Sequence, residues 1–559
     1  MKAAKNNNDK KTVDTLEANK NSSGLKKFKI FNNKYGYIIH PFLFAMFPLL
    51  SFYGANLAEI KAGNFNMNVF ILFNLVVGII AWGISFLATR NPQKASIITF
   101  ALLVVFFMFG RVHSAIQGLA IKTPIIVVGP TKLLLGLSLV FAIAVWLWIR
   151  RLKPKTITKV NATLSLVGIV MVISALTTLI TAPATGNPKT AKVLAQETVQ
   201  STAQKTKSKT QPDIYYILLD GYTRGDYLRQ NFNFDNSAFL KSLNKRGFYV
   251  ADKANSNYAH THFSVPSTFN MKYLNYLADK VGEKSKDRTP LRELLYNNSV
   301  VLKLKSDGYK YVNIGTQWGW SKTSPLQDIE VKANNETESE ILGFPLDEVA
   351  LVYLQTTALK PWIEKDIRTT MVAQILNAID KTKQVAKIAE PTISFTHFLA
   401  PHPPYLFDKN GIIPGQTPLE FANQGFSDRP KYVEQTIYTN KFVLDIVDNI
   451  LRDSQTPPII IIASDHGSAA SLGTSDFVNI DPNDLNEKGV KERMGILNAY
   501  YFPDKNYKNL YPTITPVNSF RVIFKQFFGE DIDLLPDRSY FSSNRDKEYQ
   551  MFDVTELVD

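Results

Sequence analysis

The first third of the chain is broken into five stretches that contain no Asp, Glu, Lys or Arg: residues 35–58, 62–89, 95–110, 133–149 and 160–188. A bilayer-spanning helix needs about 20 mostly apolar residues, so the pattern predicts five transmembrane helices over residues 37–182. The third is interrupted by Arg111 and His113 before apolar residues resume at Ala115. Beyond residue 211 the pattern changes. Short runs rich in β-branched and aromatic residues, DIYYILLDG (213–221), YKYVNIG (309–315), PTISFTHFL (391–399), PPIIIIASDHG (457–467) and LNAYYFP (497–503), alternate with longer amphipathic stretches such as NSAFLKSLNKRG and KYVEQTIYTNKFVLDIVDNILRD. Strands buried on both faces and separated by helices predict an α/β domain with a largely parallel sheet covered by helices.

Charge orients this layout. The net charge is +14, and the basic residues are unevenly placed. Nine Lys precede the first apolar run, Arg90 and Lys94 follow the second, and Arg150, Arg151, Lys153, Lys155 and Lys159 follow the fourth. Cytoplasmic loops retain Lys and Arg. A multi-pass protein of the plasma (inner) membrane is expected, with residues 1–36 as a cytoplasmic basic tail and residues 212–559 outside the cytoplasm. Residues 183–211, rich in Ala, Thr, Lys and Gln, read as a linker, either solvated or lying along anionic lipid head groups. No cleavable signal peptide is expected, because the first apolar run follows a long polar tail. The absence of Cys excludes disulfides and thiolate metal ligands. Nothing in the sequence points to nucleic acid.

In a sheet of this kind ligands gather beyond the carboxyl ends of the strands, and the polar residues there form one group. Asp220 closes the first run, His397 lies within the third with His402 just beyond it, and Asp465 and His466 follow four consecutive isoleucines. Each has a plain structural reading as a cap or turn residue. Together, two carboxylates and an imidazole with room for an oxygen ligand suit a hard or borderline divalent cation, Zn or Mn before Mg. Thr261, in YAHTHFSVP, is the candidate oxygen. A threonine hydroxyl attacks at neutral pH only if a metal or a base lowers its proton affinity. His260 and His262 flank it, and in a regular element at most one of them shares its direction. A hydrogen-bonded polar loop is the alternative reading of the stretch.

These motifs, DIYYILLDG, the Thr of THFSVP, HFLAPHPPY and ASDHG, resemble in order and context the alkaline phosphatase superfamily in its sulfatase-like branch. Spans followed by such a domain look like the lipoteichoic acid synthases and lipid A phosphoethanolamine transferases. The resemblance implies Asp220, Thr261, Asp465 and His466 as metal ligands, Thr261 as nucleophile, and His397 and His402 as substrate or second-metal residues; His260 and His262 join the substrate-binding candidates. It implies a metal-dependent phosphotransferase that moves a phospholipid head group, phosphoglycerol or phosphoethanolamine, through a phospho-threonine onto an envelope glycan or lipid. A membrane sulfatase or phosphodiesterase and a non-catalytic envelope assembly protein are the alternatives. The chain departs from the transferases in lacking Cys, in Ser468 after SDHG where they have Glu, in having no histidine after His466, and in Asp220 where Glu is usual. SVPST begins like the sulfatase pattern Cys/Ser-x-Pro-x-Arg, making Ser264 the alternative nucleophile, but Thr268 stands where Arg is needed. The stretch 347–365, DEVALVYLQTTALKPWIEK, is amphipathic and is expected to lie against the bilayer or on the domain core.

Overall fold

The structure is a computed structural model that describes residues 36–57, 60, 66–122, 130–181, 211–316, 319–334, 348–413, 425–472, 486–542 and 547–559. The expected basic tail and linker lie, apart from their boundary residues, outside this set. The chain forms two compact units.

One unit contains a helix for each apolar run: α1 (Gly36–Ala55), α2 (Met67–Thr89), α3 (Pro92–Lys122), α4 (Pro130–Arg151) and α5 (Pro154–Thr181). Helices are the outcome for such runs because hydrocarbon offers backbone groups no other partner. Three of them start on proline, which occupies a first turn where its missing N–H costs nothing. Arg111 and His113 do not break α3, which runs through both. Among the described residues, four helices have the length and composition to cross a membrane: Met67–Thr89, Pro92–Ile116, Thr131–Arg151 and Pro154–Ile180. Against the five spans expected, four are found among the described residues, with α1 as the fifth apolar helix. Helix α1 has 20 residues, about 30 Å at 1.5 Å per residue and so close to the thickness of a hydrocarbon core; Ile39–Ala55 is its described apolar part, and Pro41 and Pro48 lie inside the helix. Leu72, Ile79, Leu139, Val170 and Ile180 stay exposed on the bundle, as lipid-facing residues do.

A segment from much later in the chain, Val352–Pro361, belongs to this helical unit. Tyr353 is its anchor. Its hydroxyl and the buried Asn74 side chain of α2 bond each other at 2.7 and 3.0 Å, and its ring packs against Phe52 and Phe70. The Gly110 N–H donates to the Thr356 carbonyl at 3.1 Å. A side chain at Gly110 would start 1.9 Å from the Gln355 carbonyl oxygen, so only glycine permits this approach. The Lys360 ammonium donates to Ser114 at 2.7 Å. Of the two expected placements for the amphipathic stretch, its middle part adopts neither a bare lipid face nor the α/β core.

The second unit is built on a six-stranded sheet. Its strands are β1 (Ile214–Leu219), β2 (Tyr249–Val250), β3 (Lys310–Gly315), β4 (Thr392–Phe398), β5 (Ile459–Ala463) and β6 (Asn498–Tyr501), in the spatial order β2-β6-β5-β1-β4-β3. The three pairings among β3, β4, β1 and β5 are parallel, and β6 and β2 close one edge antiparallel. Every residue of β1, β4 and β5 is buried, which explains why those strands read as continuous apolar runs rather than alternating ones. The four isoleucines of β5 are fully buried, each contributing about 2 kcal/mol from removal of apolar surface. The parallel register aligns β1 with β4 and β5 so that Leu219 sits opposite Phe398 and Leu218 opposite Ala463. Asp220 and Asp465, each just past its strand, therefore emerge on the same edge of the sheet. The edge strand β2 is only two residues long and carries no sequence signal of its own.

Candidate metal and nucleophile site

Asp220 follows β1 and is fixed by its backbone: its N–H donates to Phe398 and its carbonyl accepts from the His402 N–H. Asp465 follows β5, and its Oδ1 accepts from the backbone N–H groups of Gly221 and His466 at 3.2 and 2.9 Å. The Ser464 hydroxyl donates to the His466 carbonyl at 2.6 Å and accepts from the Tyr222 N–H at 2.8 Å, tying the two strand ends together. Gly467 is forced by crowding, since a side chain there would begin 2.1 Å from the Glu492 carbonyl oxygen.

The orientation of His466 decides the chemistry. Its Nδ1 lies 3.0 Å from the Gly467 carbonyl. A carbonyl can only accept, so Nδ1 carries the proton and Nε2 presents its lone pair. That lone pair lies 3.2 Å from Asp465 Oδ2, 3.6 Å from Asp220 Oδ1 and 3.2 Å from Thr261 Oγ1. Asp220 Oδ1 and Asp465 Oδ2 are both buried and have no hydrogen-bond partner. The ligand atoms of Asp220, Asp465 and His466 all lie within 4.8 Å of one another. Three buried acceptors facing one point repel each other unless something positive sits among them. Ligands at about 2.0 to 2.1 Å around a tetrahedral cation are separated by about 3.3 Å, which matches the observed spacings. The donor set of Asp220, Asp465 and His466 therefore fits a divalent cation, with the Thr261 hydroxyl beside it at 3.2 Å from His466 Nε2.

The electrostatics agree. Burial, and then the negative charge of Asp220, push the Asp465 carboxyl well above its ordinary range. Burial alone would raise Asp220 too, but His402, His397 and His466 overcome it and hold it below the carboxylate range. Burial, then the Arg493 guanidinium, push His466 far below the usual imidazole value. It is thus neutral, the form that ligates.

Thr261 begins α6 (Thr261–Asn270), for which His260 is the N-cap residue. This places its hydroxyl at the helix N-terminus, where the backbone dipole favours negative charge. The two flanking histidines turn elsewhere. His260 Nε2 bonds the Ser542 carbonyl at 2.7 Å, and His262 Nε2 lies 3.2 Å from Glu548, which Arg288 also grips. They anchor the loop on both sides of Thr261. His397 is a strand residue with no exposed surface; its Nδ1 meets Ser321 at 2.8 Å and its Nε2 lies 3.5 Å from Asp220 Oδ2. His402 stands in the loop after β4, with its ring centroid 6.4 Å from that of His466. Ser264 is buried on α6, and its hydroxyl donates to the Tyr258 carbonyl at 2.8 Å. Ser264→Ala is expected to cost about 1 kcal/mol in stability and to leave covalent chemistry on Thr261. A protein that loses its adduct in this variant, read by peptide mass, would move the nucleophile to Ser264.

Sequence reading missed Arg493. It is buried, its Nε donates to the Ala259 carbonyl and its Nη1 to Gly467, both at 2.8 Å. One side chain thereby clamps the Thr261 loop to the Asp465–His466 loop. Ser464 was missed although it stands within ASDHG, and Ser321 and Glu548 were missed because they lie outside the motifs.

No family model and no curated protein matches the sequence. Among solved structures the chain is similar to the C-terminal periplasmic domain of EcEptC from Escherichia coli, with 12% identity, 62% of this chain and 94% of that one covered, and a TM-score of 0.37; a Zn complex of that domain matches equally. It is similar to the integral membrane protein lipooligosaccharide phosphoethanolamine transferase A from Neisseria meningitidis, with 14% identity, 87% and 95% covered, and a TM-score of 0.35. A 2-O GAG sulfatase matches with 13% identity, 60% and 78% covered, and a TM-score of 0.36. These are the kinds of protein that the motifs resemble. All three TM-scores are low, and the chemistry rests on this chain's own residues.

Proposed function

We propose that the protein is a membrane-anchored, metal-dependent phosphotransferase with its α/β domain outside the cytoplasm, which moves a phospholipid head group through phospho-Thr261 onto an envelope glycan or lipid. The observation that carries this reading is the Thr261 hydroxyl, 3.2 Å from the lone pair of a neutral His466 that also faces two unpartnered carboxylate oxygens. A divalent cation held by Asp220, Asp465, His466 and Thr261 would lower the proton affinity of that hydroxyl and offset charge on the transferred phosphoryl group. Thr261 Oγ forms the bond to phosphorus, and the bond from phosphorus to the lipid glycerol oxygen breaks. The hydroxyl proton ends on that oxygen, releasing diacylglycerol. The acceptor hydroxyl then repeats the displacement and restores Thr261. His397, fully buried, orients Asp220, while His402, in the loop beside His466, is placed to meet the substrate. His260 and His262 hold the nucleophile loop.

Four membrane-spanning helices suit a lipid donor, since a tethered domain meets head groups at high effective concentration. The sulfatase alternative finds no support at Ser264, whose hydroxyl is committed to Tyr258. The test is incubation of the detergent-solubilised protein with phosphatidylglycerol and phosphatidylethanolamine, followed by peptide mass analysis. The expected result is a phosphoglycerol or phosphoethanolamine mass on Thr261, which also identifies the donor. An adduct elsewhere would overturn the assignment.

A further inference from the structure

The loop that carries Thr261 is lined by the C-terminal part of the chain. The Ser539 hydroxyl donates to the Ser256 carbonyl at 2.8 Å, and the Asn257 side-chain amide donates to the Arg538 carbonyl at 2.9 Å. The Tyr540 N–H donates to the Asn257 carbonyl at 2.9 Å, and its ring stacks on that of the buried Tyr258 with centroids 5.7 Å apart. Tyr258 and Tyr540 form a parallel bridge, so the two segments run in the same direction. Farther along, His260 meets Ser542 and His262 meets Glu548. Both histidines beside Thr261 thus end on the same C-terminal segment, with Thr261 between the two attachments.

The second attachment carries charge. Glu548 is 6% exposed, and burying an unpaired carboxylate is costly. It is paired on two sides: Arg288 Nε donates to its two oxygens at 2.9 and 2.8 Å, and His262 Nε2 faces Oε2 at 3.2 Å. Burial would raise this carboxyl, but His262 and then Arg288 hold it below the carboxylate range. An ionised carboxylate only accepts, so the proton at this contact sits on His262 Nε2. Arg288 is the N-cap residue of the helix Thr289–Tyr296, and its neighbour Asp287 accepts at its carbonyl from the Tyr549 hydroxyl at 2.5 Å. The His262 ring lies among His260, Phe263 and Trp320, whose ring centroids are 5.2, 4.9 and 6.3 Å away. Displacing an attacking group by about 1 Å can cost about a hundredfold in rate. A contact that fixes the residue next to the nucleophile therefore acts on transfer more than on binding.

We propose that Glu548 is a positioning residue for phosphoryl transfer: acting through His262, it fixes the backbone at Thr261 so that the hydroxyl stays directed at His466 Nε2. The proposal rests on the phosphotransferase reading for the reaction, but the placement of the loop is also measured without turnover. Glu548→Gln keeps the shape, removes the charge, and turns an amide nitrogen towards one of two donors, Arg288 or His262. In full-length protein in detergent, kcat for head-group transfer should fall by about a hundredfold, with KM for the lipid unchanged and the metal content equal to that of the parent protein. His262→Ala leaves the Arg288 pair in place and should reproduce the loss. His262→Gln, whose amide can donate to the carboxylate from the same place as the imidazole, should transfer about tenfold faster than His262→Ala. Amide exchange of the peptide covering residues 256–264 should be faster in Glu548→Gln and His262→Ala than in the parent protein, with exchange of β1, β4 and β5 unchanged. Exchange of that peptide as slow in both variants as in the parent would overturn the proposal. Transfer by both variants at the parent rate would overturn it too, and so would a His262→Gln variant as slow as His262→Ala, which would make the imidazole itself a reacting group. A parent protein that transfers no head group would remove the phosphotransferase reading, and the exchange result would then decide alone whether Glu548 places Thr261.

Discussion

Thr261→Ala is expected to lower head-group transfer by about 10⁶-fold, in line with removal of other catalytic nucleophiles, while leaving the fold intact. The residue is half-buried at the first position of α6 and its methyl group fills no core cavity; substitutions at such positions change stability by about 0.5 kcal/mol or less. Thr261→Ser separates nucleophile from scaffold, because it keeps the hydroxyl and loses only the methyl that restricts its rotamer. Its transfer rate should fall by about tenfold, the size expected when an attacking oxygen is present but less firmly placed. The measurement is turnover of a head-group-labelled phospholipid, with the melting curve of each variant as control. Turnover of Thr261→Ala close to that of the parent protein would remove Thr261 from the reaction, whatever its proximity to His466.

Much of this site is legible along the chain because burial on both faces leaves a strand with a plain signature. DIYYILLDG and PPIIIIASDHG announce β1 and β5, and the first acidic residue past each apolar run is the one that reaches the cluster. The spatial meeting of these ends depends on strand order, which the runs themselves do not encode. The clamp between the two loops was hidden for the same reason: Arg493 lies 234 positions from the carbonyl that its Nε meets, on a short charged helix whose pattern reads as solvent-exposed. His397 illustrates the converse, a histidine whose position in a wholly buried strand makes it a partner of Asp220. In the helical unit, run length announced α1 as an apolar helix but not the two prolines that lie inside it. Asn74 was the overlooked sign there. A lone amide in an apolar run requires a partner, because leaving it unbonded in hydrocarbon is costly, and Tyr353 supplies that partner from a segment 279 positions away.

Removing the cation is expected to destabilise the α/β domain to a degree that depends on pH. With the cation bound, the folded state is favoured by about 4 kcal/mol at a free concentration about a thousand times Kd, and chelation should lower the melting temperature accordingly. In the chelated protein Asp220 and Asp465 are left facing each other. The Asp465 carboxyl is then raised to about 7 by burial and by Asp220, against about 3.9 in the unfolded chain. The folded state thus holds a proton that the unfolded state releases. Taken alone, Asp465 makes the chelated protein lose stability as pH rises towards 7, while His466 and His260, held well below the ordinary imidazole value, act in the opposite sense below about pH 6.5, so the loss due to Asp465 should be read between about pH 6.5 and 7.5 and against Asp465→Asn. Cation affinity runs the other way, since the metal displaces that proton, so the gap between loaded and chelated melting temperatures should widen from pH 5 to pH 7.5. Asp465→Asn removes one of the two opposed charges. It should purify without metal, against about one equivalent in the parent protein, and show no response to chelator. When chelated at pH 7.5 it should melt above the chelated parent, because relief of repulsion outweighs the lost carboxylate bonds. Metal analysis and calorimetric melting across this pH range test the argument together. A variant that retains the metal, or a parent protein indifferent to chelation at every pH, would mean that these four side chains do not share a cation.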